Sequence, residues 1–126
     1  MQHSLQLFID NEWCDSVSGK TFESINPATT NPIATVSEAT SDDVDLAVSA
    51  AQRAFESGVW SDLEPDERAS VLIKVAELLR RRAKEFAELE CRDTGKPISE
   101  TLAIDIPYSI RAFEYFANIS REIKGE

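Results

Sequence analysis

The first forty residues alternate short apolar or β-branched runs with residues that favour turns. The runs lie at residues 5–9, 21–25 and 33–36. Turn residues separate or follow them, at Asp10-Asn11, Ser18-Gly19 and Asn26-Pro27. Short apolar runs bounded in this way are typical of strands, so the pattern predicts β-hairpins over residues 1–40. Three short strands bury too little apolar surface to be stable alone, and we expect them to lie against another layer.

A helix is predicted over residues 41–58. The capping hydroxyls of Thr40 and Ser41 suit the free N–H groups of a helix start, and the carboxylates of Asp42 and Asp43 suit its positive dipole end. Apolar residues then recur at helical spacing and form one stripe of Val44, Val48, Ala51 and Phe55. Gly58 is expected to end this helix.

A second, longer helix is predicted over residues 65–92. Pro65 suits its first position, because the missing N–H of proline would have no helical partner there. The expected buried face consists of Leu72, Val75, Ala76, Leu79, Ala83 and Phe86. The arginines at 80–82 have glutamates at helical spacing on both sides, which indicates a solvated, self-paired face and not a nucleic-acid site.

A third helix is predicted over residues 105–123, after a sharp turn at Gly95 and Pro97. One apolar stripe runs through Ile106, Ile110, Phe113 and Ala117. A second apolar surface is added by Tyr108, Tyr115, Phe116 and Ile119. A helix that is apolar on more than one side is expected to have neighbours on more than one side.

Composition narrows the classes of function. With 42% hydrophobic and 29% charged residues, the 126-residue chain resembles an ordinary globular protein with one compact core. A net charge of −10 disfavours nucleic acid and anionic membranes as partners. No run approaches the roughly 20 apolar residues of a spanning helix, and the N-terminal residues lack a signal pattern, so a cytoplasmic location is expected. Cys14 and Cys91 are expected to be small, partly buried thiols.

Several segments, taken in order, resemble the aldehyde dehydrogenase superfamily. In the strand region these are LFIDNEW at 7–13, SGKTFE at 18–23 and INPAT at 25–29. In the helical region they are DVD at 43–45, AV at 47–48, AA at 50–51, AF at 54–55, ERA at 67–69, LE at 89–90, DTGKP at 93–97 and FEYFA at 113–117. The residues at 21–27 and Asp105-Ile106 resemble the betaine-aldehyde and aminoaldehyde branch in particular.

The resemblance implies a mainly α-helical fold with N-terminal β-hairpins. Such a chain is the N-terminal helical part of an aldehyde-dehydrogenase-type α/β Rossmann-like cofactor domain, incomplete by itself, and residues 1–126 form a single segment of it. Family members oxidise an aldehyde to a carboxylic acid through a thiolate, with hydride transfer to NAD or NADP. We expect none of the catalytic or cofactor-binding residues in this segment; its four glycines form no GxGxxG-like cluster.

The resemblance also implies part of a monovalent cation site. Its ligands would be the main-chain carbonyls of Ser24 and Ile25 and the side chain of Asp93, and hard oxygen donors of this kind suit K⁺ or Na⁺. The remaining ligand would come from a later segment. The alternative is that Asp93 only forms a hydrogen bond within the turn around Gly95.

The third helix borders the substrate tunnel in family enzymes, which makes Asp105 and Tyr108 candidate tunnel-wall residues. An acidic side chain and an aromatic face would both suit a cationic aminoaldehyde. The alternatives are that Asp105 caps the helix before Pro107 and that Tyr108 is a packing residue.

Three hypotheses about function follow. The first is an N-terminal fragment of an NAD(P)-dependent aldehyde dehydrogenase, inactive alone, whose partner is the remaining part of the enzyme and whose substrate in the complete enzyme is a small aldehyde. The second is a helical interaction module that docks on an intact dehydrogenase subunit or another partner, or self-associates, through its third helix. The third is a small independent enzyme.

Overall fold

The computed structural model describes residues 3–122, which form five strands and a series of helices. The strands are β1 (His3–Leu5), β2 (Leu7–Ile9), β3 (Glu12–Cys14), β4 (Thr21–Ile25) and β5 (Pro32–Ser37). The helices are α1 (Ser41–Glu56), α2 (Pro65–Arg81), α3 (Ala83–Thr94), α4 (Ile98–Glu100), a π-turn (Thr101–Asp105) and α5 (Ile106–Glu122). The predicted end of the third helix, at residue 123, lies outside the described residues, as do residues 1 and 2.

The chain divides into two compact units, Met1–Ser61 and Asp62–Glu126, whereas its length had led us to expect one. The first unit contains the strands and α1, and the second contains the other helices. That residues 1–126 form a single segment of one dehydrogenase domain stays a prediction.

In the first unit, the strands form two separate sheets. β2 and β3 make a hairpin whose two-residue turn, Asp10-Asn11, has φ angles of 53° and 65°. Asn and Asp tolerate this left-handed conformation well, so the predicted turn is confirmed. The other sheet has the order β1-β5-β4, with β4 antiparallel and β1 parallel to β5. The single strand predicted at 5–9 is therefore wrong, because its two ends pair with different strands.

The start of α1 is fixed by a buried carboxylate. Thr40 is the N-cap, as predicted, and Asp43 completes a capping box with it. The Asp43 side chain also accepts hydrogen bonds from Ser16 Oγ, at 2.8 Å, and from the N–H of Val17, at 2.9 Å. These bonds join the loop after β3 to the first turn of α1. Asp43 is only 2% exposed, so a local capping residue also serves as a long-range anchor.

The backbone N–H groups of Thr40 and Val17 hold the pKa of Asp43 well below its usual range. Desolvation opposes this shift, but the hydrogen bonds outweigh it. The folded state therefore favours the ionised carboxylate.

The predicted apolar stripe of α1 is largely exposed among the described residues. Val44, Val48 and Phe55 are 52%, 61% and 75% exposed. The buried residues of α1 are Asp43 and Ala50 instead. The hydrogen bonds of Asp43 turn this neighbouring face inward and leave the larger apolar side chains outside. The helix ends at Glu56, and Gly58, with φ of 71°, lies just beyond it.

In the second unit, the helix predicted over 65–92 is two helices, α2 and α3. The break is at Arg82, whose φ of −106° and ψ of 19° depart from helical values. Pro65 does lie at the N-terminus of α2, and Gly95, with φ of 76°, ends α3. A straight helix over residues 65–92 would extend about 42 Å, whereas the 17-residue α5 extends about 26 Å. The break lets α2 pack along α5 while α3 packs against the π-turn.

Helices α2 and α5 pack as an antiparallel pair through small side chains. Ala69, Ala76 and Ala117 are fully buried. A core cluster contains Ala76, Ala87, Ile106 and Ile110, with Leu79 and Ala83 packed against it. Ion pairs Arg80–Glu114 and Arg121–Asp66 also join the two helices. Of the face predicted for the second helix, Phe86 is 37% exposed, and on α5 Phe113 is 36% exposed.

Replacing Ile110 with alanine should destabilise the second unit by about 2–5 kcal/mol, because it leaves a cavity in this cluster. Urea unfolding followed by circular dichroism measures the change. The control is Lys74→Ala, on the exposed face of α2, which should shift the free energy of unfolding by no more than about 0.5 kcal/mol. Equal effects of the two substitutions would contradict the assignment of the core.

Replacing Asp43 with asparagine should lower the melting temperature of the first unit, because an amide offers N–H₂ where one oxygen now accepts hydrogen bonds. Asp42→Asn is the matched control, since Asp42 is also an acidic residue of the first turn but is exposed. It should change the melting temperature far less.

The Asp43 contribution should also depend on pH. Because the folded pKa is lowered, this stability is fully present above the unfolded pKa of about 3.9 and is lost as pH falls through the folded pKa. The difference in stability between the unmodified chain and Asp43→Asn should therefore be constant near neutral pH and shrink only under acidic conditions below that unfolded pKa. A difference that shrinks near neutral pH would refute this assignment.

Candidate functional site

The exposed side of α5 carries a cluster of aromatic side chains around a shallow pocket. Tyr108, Arg111, Ala112, Tyr115 and Phe116 line it, and its volume is about 260 Å³. We call these five residues the α5 pocket. Their spacing of three, four, seven and eight residues from Tyr108 puts them on one side of the helix. The pocket therefore follows directly from the helical pattern.

The rings of the α5 pocket are accessible. Tyr108, Tyr115 and Phe116 are 68%, 60% and 60% exposed. Tyr115 and Phe116 meet edge to face, with ring centroids 5.3 Å apart. The structure thus agrees with the expectation that α5 is apolar on more than one side. The Tyr108 ring is not packed within the described residues, and its roles as a tunnel-wall residue or as a packing residue both stay predictions.

Asp105 is the last residue of the π-turn, directly before α5. Its carboxylate accepts a hydrogen bond from Lys96 Nζ at 2.7 Å. This bond raises the pKa of the Lys96 ammonium group. The capping alternative for Asp105 is wrong, because the residue lies inside a continuous helical segment and its side chain is paired with Lys96.

The three predicted cation ligands lie in different units. Ser24 and Ile25 are on β4, where the register with β5 shifts between them, and Ile25 pairs with Pro32. Proline has no N–H to donate to a carbonyl of β4. Asp93 lies in the last turn of α3. The combination of these residues in one site stays a prediction.

Other chemical groups are dispersed. Cys14 and Cys91 are half-buried. Among residues 3–122, no group of three or more His, Cys, Asp or Glu side chains is placed to hold a metal ion. Over the same residues, none of the helices has the length and apolar character needed to cross a membrane.

Two residues of this region were missed from the sequence. Arg111 lies three residues after Tyr108, so helical spacing alone could have assigned it to the pocket. Lys96 could not have been found as the partner of Asp105, because the short α4 and the π-turn between them are not indicated by the sequence pattern.

Comparison with known proteins decides the family. The model of the aldehyde dehydrogenase family matches residues 13–126, almost the whole chain. The chain belongs to the aldehyde dehydrogenase family. Its helices with few N-terminal strands match the N-terminal part of an aldehyde dehydrogenase domain, which confirms the predicted fold class.

Individual relatives agree with this family. Aldehyde dehydrogenase 1 from Tanacetum cinerariifolium is 44% identical over 120 residues, which are 95% of this chain and 24% of the relative. The solved NAD⁺ complex of an aldehyde dehydrogenase from Bacillus cereus matches with a TM-score of 0.93 and 40% identity, over 98% of this chain and 25% of that one.

A third match has an aminoaldehyde in its name. The solved γ-glutamyl-γ-aminobutyraldehyde dehydrogenase from Burkholderia cenocepacia matches with a TM-score of 0.94 and 36% identity, over all of this chain and 26% of that one. This chain therefore spans about a quarter of the length of these relatives.

Replacing Tyr108 with alanine should change the free energy of unfolding by no more than about 0.5 kcal/mol, because the ring is exposed and makes little contact within the chain. Urea unfolding measures this, and the buried Ile110→Ala on the same helix is the contrasting variant. A loss for Tyr108→Ala as large as that for Ile110→Ala would show that the ring is a packing residue after all.

Proposed function

We propose that this chain supplies the N-terminal segment of an NAD(P)-dependent aldehyde dehydrogenase, with the cytoplasm as its expected location. The observation that carries the proposal is the combination of a TM-score of 0.93 with coverage of only a quarter of the solved chain. A segment so close to its counterpart is expected to pack against the same remaining structure. The remaining segments of such an enzyme are the proposed partner, and a small aldehyde is the proposed substrate.

In this proposal, the chain itself performs no chemical step. The thiolate, the general base and the groups that hold NAD or NADP come from other segments of the enzyme. Cys14 and Cys91 lie far apart in sequence, and among the described residues neither belongs to a group of three or more His, Cys, Asp or Glu side chains that could hold a metal ion. The contribution of the segment is to support the cofactor domain and to form part of the path to the substrate.

Within that role, Tyr108 is the proposed tunnel-wall residue. Its ring is the most exposed of the α5 pocket, and Arg111 lies one helical turn away. An exposed ring next to a pocket suits apolar or aromatic parts of an aldehyde. Asp105, the other candidate, contributes through its pairing with Lys96.

The betaine-aldehyde and aminoaldehyde branch is a second, narrower proposal. The similarity to a γ-glutamyl-γ-aminobutyraldehyde dehydrogenase and the two tyrosine faces of the α5 pocket favour it. The Arg111 guanidinium opposes it, because a cation in the pocket repels an ammonium group. Relative activity on matched cationic and neutral aldehydes distinguishes the branch from a broader specificity.

A monovalent cation, K⁺ or Na⁺, is a further part of the proposal. The proposed carbonyl ligands, Ser24 and Ile25, lie where the register between β4 and β5 shifts. Carbonyl oxygens and a carboxylate, here that of Asp93, are the hard donors that such an ion prefers. The cation would be structural, with no part in the reaction.

The docking module is the alternative function. The exposed rings of the α5 pocket favour it, since a large exposed apolar surface usually marks an interface. In that case the chain would bind an intact dehydrogenase subunit, or a second copy of itself, without restoring any activity. Light scattering after size exclusion, with and without an intact relative, separates this alternative from the first proposal.

The decisive experiment is complementation. We expect that mixing the chain with a fragment of the Bacillus cereus enzyme that lacks the matched quarter restores aldehyde-dependent formation of NADH. Neither component alone should exceed the buffer background. The destabilised Ile110→Ala chain is the control, and it should restore less activity at equal concentration. Replacing K⁺ and Na⁺ by choline in the same assay tests the cation.

Two results would contradict the proposal. One is turnover by the chain alone that persists after Cys14→Ala and Cys91→Ala, which would demand a small independent enzyme. The other is a mixture that forms neither a complex nor NADH, although both components are folded by circular dichroism.

A further inference from the structure

The eleven-residue connection between α3 and α5, residues 95–105, is held by side-chain contacts at two positions. Gly95 ends α3 in the left-handed conformation, and the short α4 and the π-turn follow before α5 begins. The N–H of Ile106 donates to the carbonyl of Thr101, five residues back, which is the π-type hydrogen bond. A π-turn costs helical regularity and often lies at a functional position. Its presence here calls for contacts that hold it.

The buried contact of this connection is made by Thr101, which is fully buried. Its hydroxyl lies 3.0 Å from the carbonyl of Ala87, on α3, and 3.1 Å from that of Ile98, on α4. A buried hydroxyl is retained only where it has such partners. Thr101 therefore ties the start of the π-turn to α3.

The contact nearer the surface is the ion pair of Lys96 and Asp105. Lys96 Nζ lies 2.7 Å from Asp105 Oδ2, and the side chains of Lys96 and Asp105 are 44% and 25% exposed. Lys96 directly follows Gly95 and Asp105 is the last residue of the π-turn, so the ion pair links the start of the connection to its end. The Asp105 carboxylate is already committed to a cation from its own chain, which reduces its ability to recognise a cationic substrate.

We propose that Lys96 and Asp105 form a clasp that fixes the π-turn and, through it, the position of the α5 pocket. The residue after Asp105 is Ile106, which belongs to the core cluster. Tyr108, three residues after Asp105, lines the α5 pocket. A shift in the π-turn would move the first turn of α5 and the Tyr108 ring together. Asp105 is thus a positioning residue, and its carboxylate does not bind the substrate. That the carboxylate does not bind the substrate rests on the proposed function, whereas the positioning role of Asp105 does not.

The clasp is a partly exposed pair, and such pairs contribute modestly to stability. The expected effects are therefore local. The free energy of unfolding of the whole chain is a poor measure of them, and hydrogen exchange of single amides is a better one.

The first experiment is hydrogen exchange on the 126-residue chain. Lys96→Met and Asp105→Asn should each speed exchange of the Thr101–Ile106 amides by about two- to five-fold, while the α2 amides stay unchanged. The charge-swapped double variant, Lys96→Asp with Asp105→Lys, should recover part of the protection of these amides against exchange. The matched control is Lys84→Met, which breaks the exposed Lys84–Glu88 pair of α3 and should not affect the π-turn.

The clasp is overturned if the single variants leave exchange in the π-turn unchanged. It is also overturned if the Thr101–Ile106 amides of the charge-swapped double variant are no better protected than those of the single variants. Both outcomes are independent of any enzymatic activity. A failure of complementation would therefore count against the proposed function alone.

The second experiment uses the complemented enzyme with a cationic aminoaldehyde and a neutral aldehyde of equal length. Asp105→Asn should raise KM for both substrates by the same factor, and Lys96→Met should raise it to a similar extent. A rise confined to the cationic substrate and to Asp105→Asn would show that the carboxylate binds the ammonium group, and the positioning role would be wrong.

Discussion

The packing of α2 against α5 through alanines is the constraint on which the second unit depends. Ala69, Ala76 and Ala117 let the two helices approach closely, and Ile106 and Ile110 fill the space that remains near α3. Dense packing of this kind leaves no room for larger side chains. The rings of Tyr108, Tyr115 and Phe116 lie on the other side of α5, outside this contact, and line the α5 pocket.

Polar groups hold the positions at which the chain changes direction. Asp43 joins α1 to the loop after β3, and Thr101 joins the π-turn to α3. Each is buried and each has its hydrogen-bond partners, so neither carries the penalty of an unsatisfied polar group. Apolar burial thus stabilises the helix pair, and buried hydrogen bonds set the geometry of the connections. The Lys96–Asp105 clasp adds a third fastening of this kind, nearer the surface.

The fate of Asp105 shows why site residues are harder to assign than folds. The resemblance to the aldehyde dehydrogenase family suggested Asp105 and Tyr108 as tunnel-wall residues, and in the structure Tyr108 lines the α5 pocket. It gave no means of knowing that a lysine nine residues earlier is 2.7 Å from the Asp105 carboxylate. The charge of a residue suggests a ligand only when that charge has no partner within the protein, and a partner across a turn is a tertiary feature.

The sequence by itself determined the features that depend on neighbouring residues. The Thr40 cap, the Pro65 helix start, the Asp10-Asn11 turn and the Gly95 helix end all result from local dihedral preferences and local hydrogen bonds. The family, too, could be read from the order of short motifs.

The tertiary structure alone decided the features that depend on contacts between distant residues. It split the run at 5–9 between two sheets and turned the Asp43 face of α1 inward in place of its valines. It also bent the long helix at Arg82. In each case several arrangements satisfy the local pattern equally well, and the choice among them depends on packing and hydrogen bonds that form only when the chain is folded.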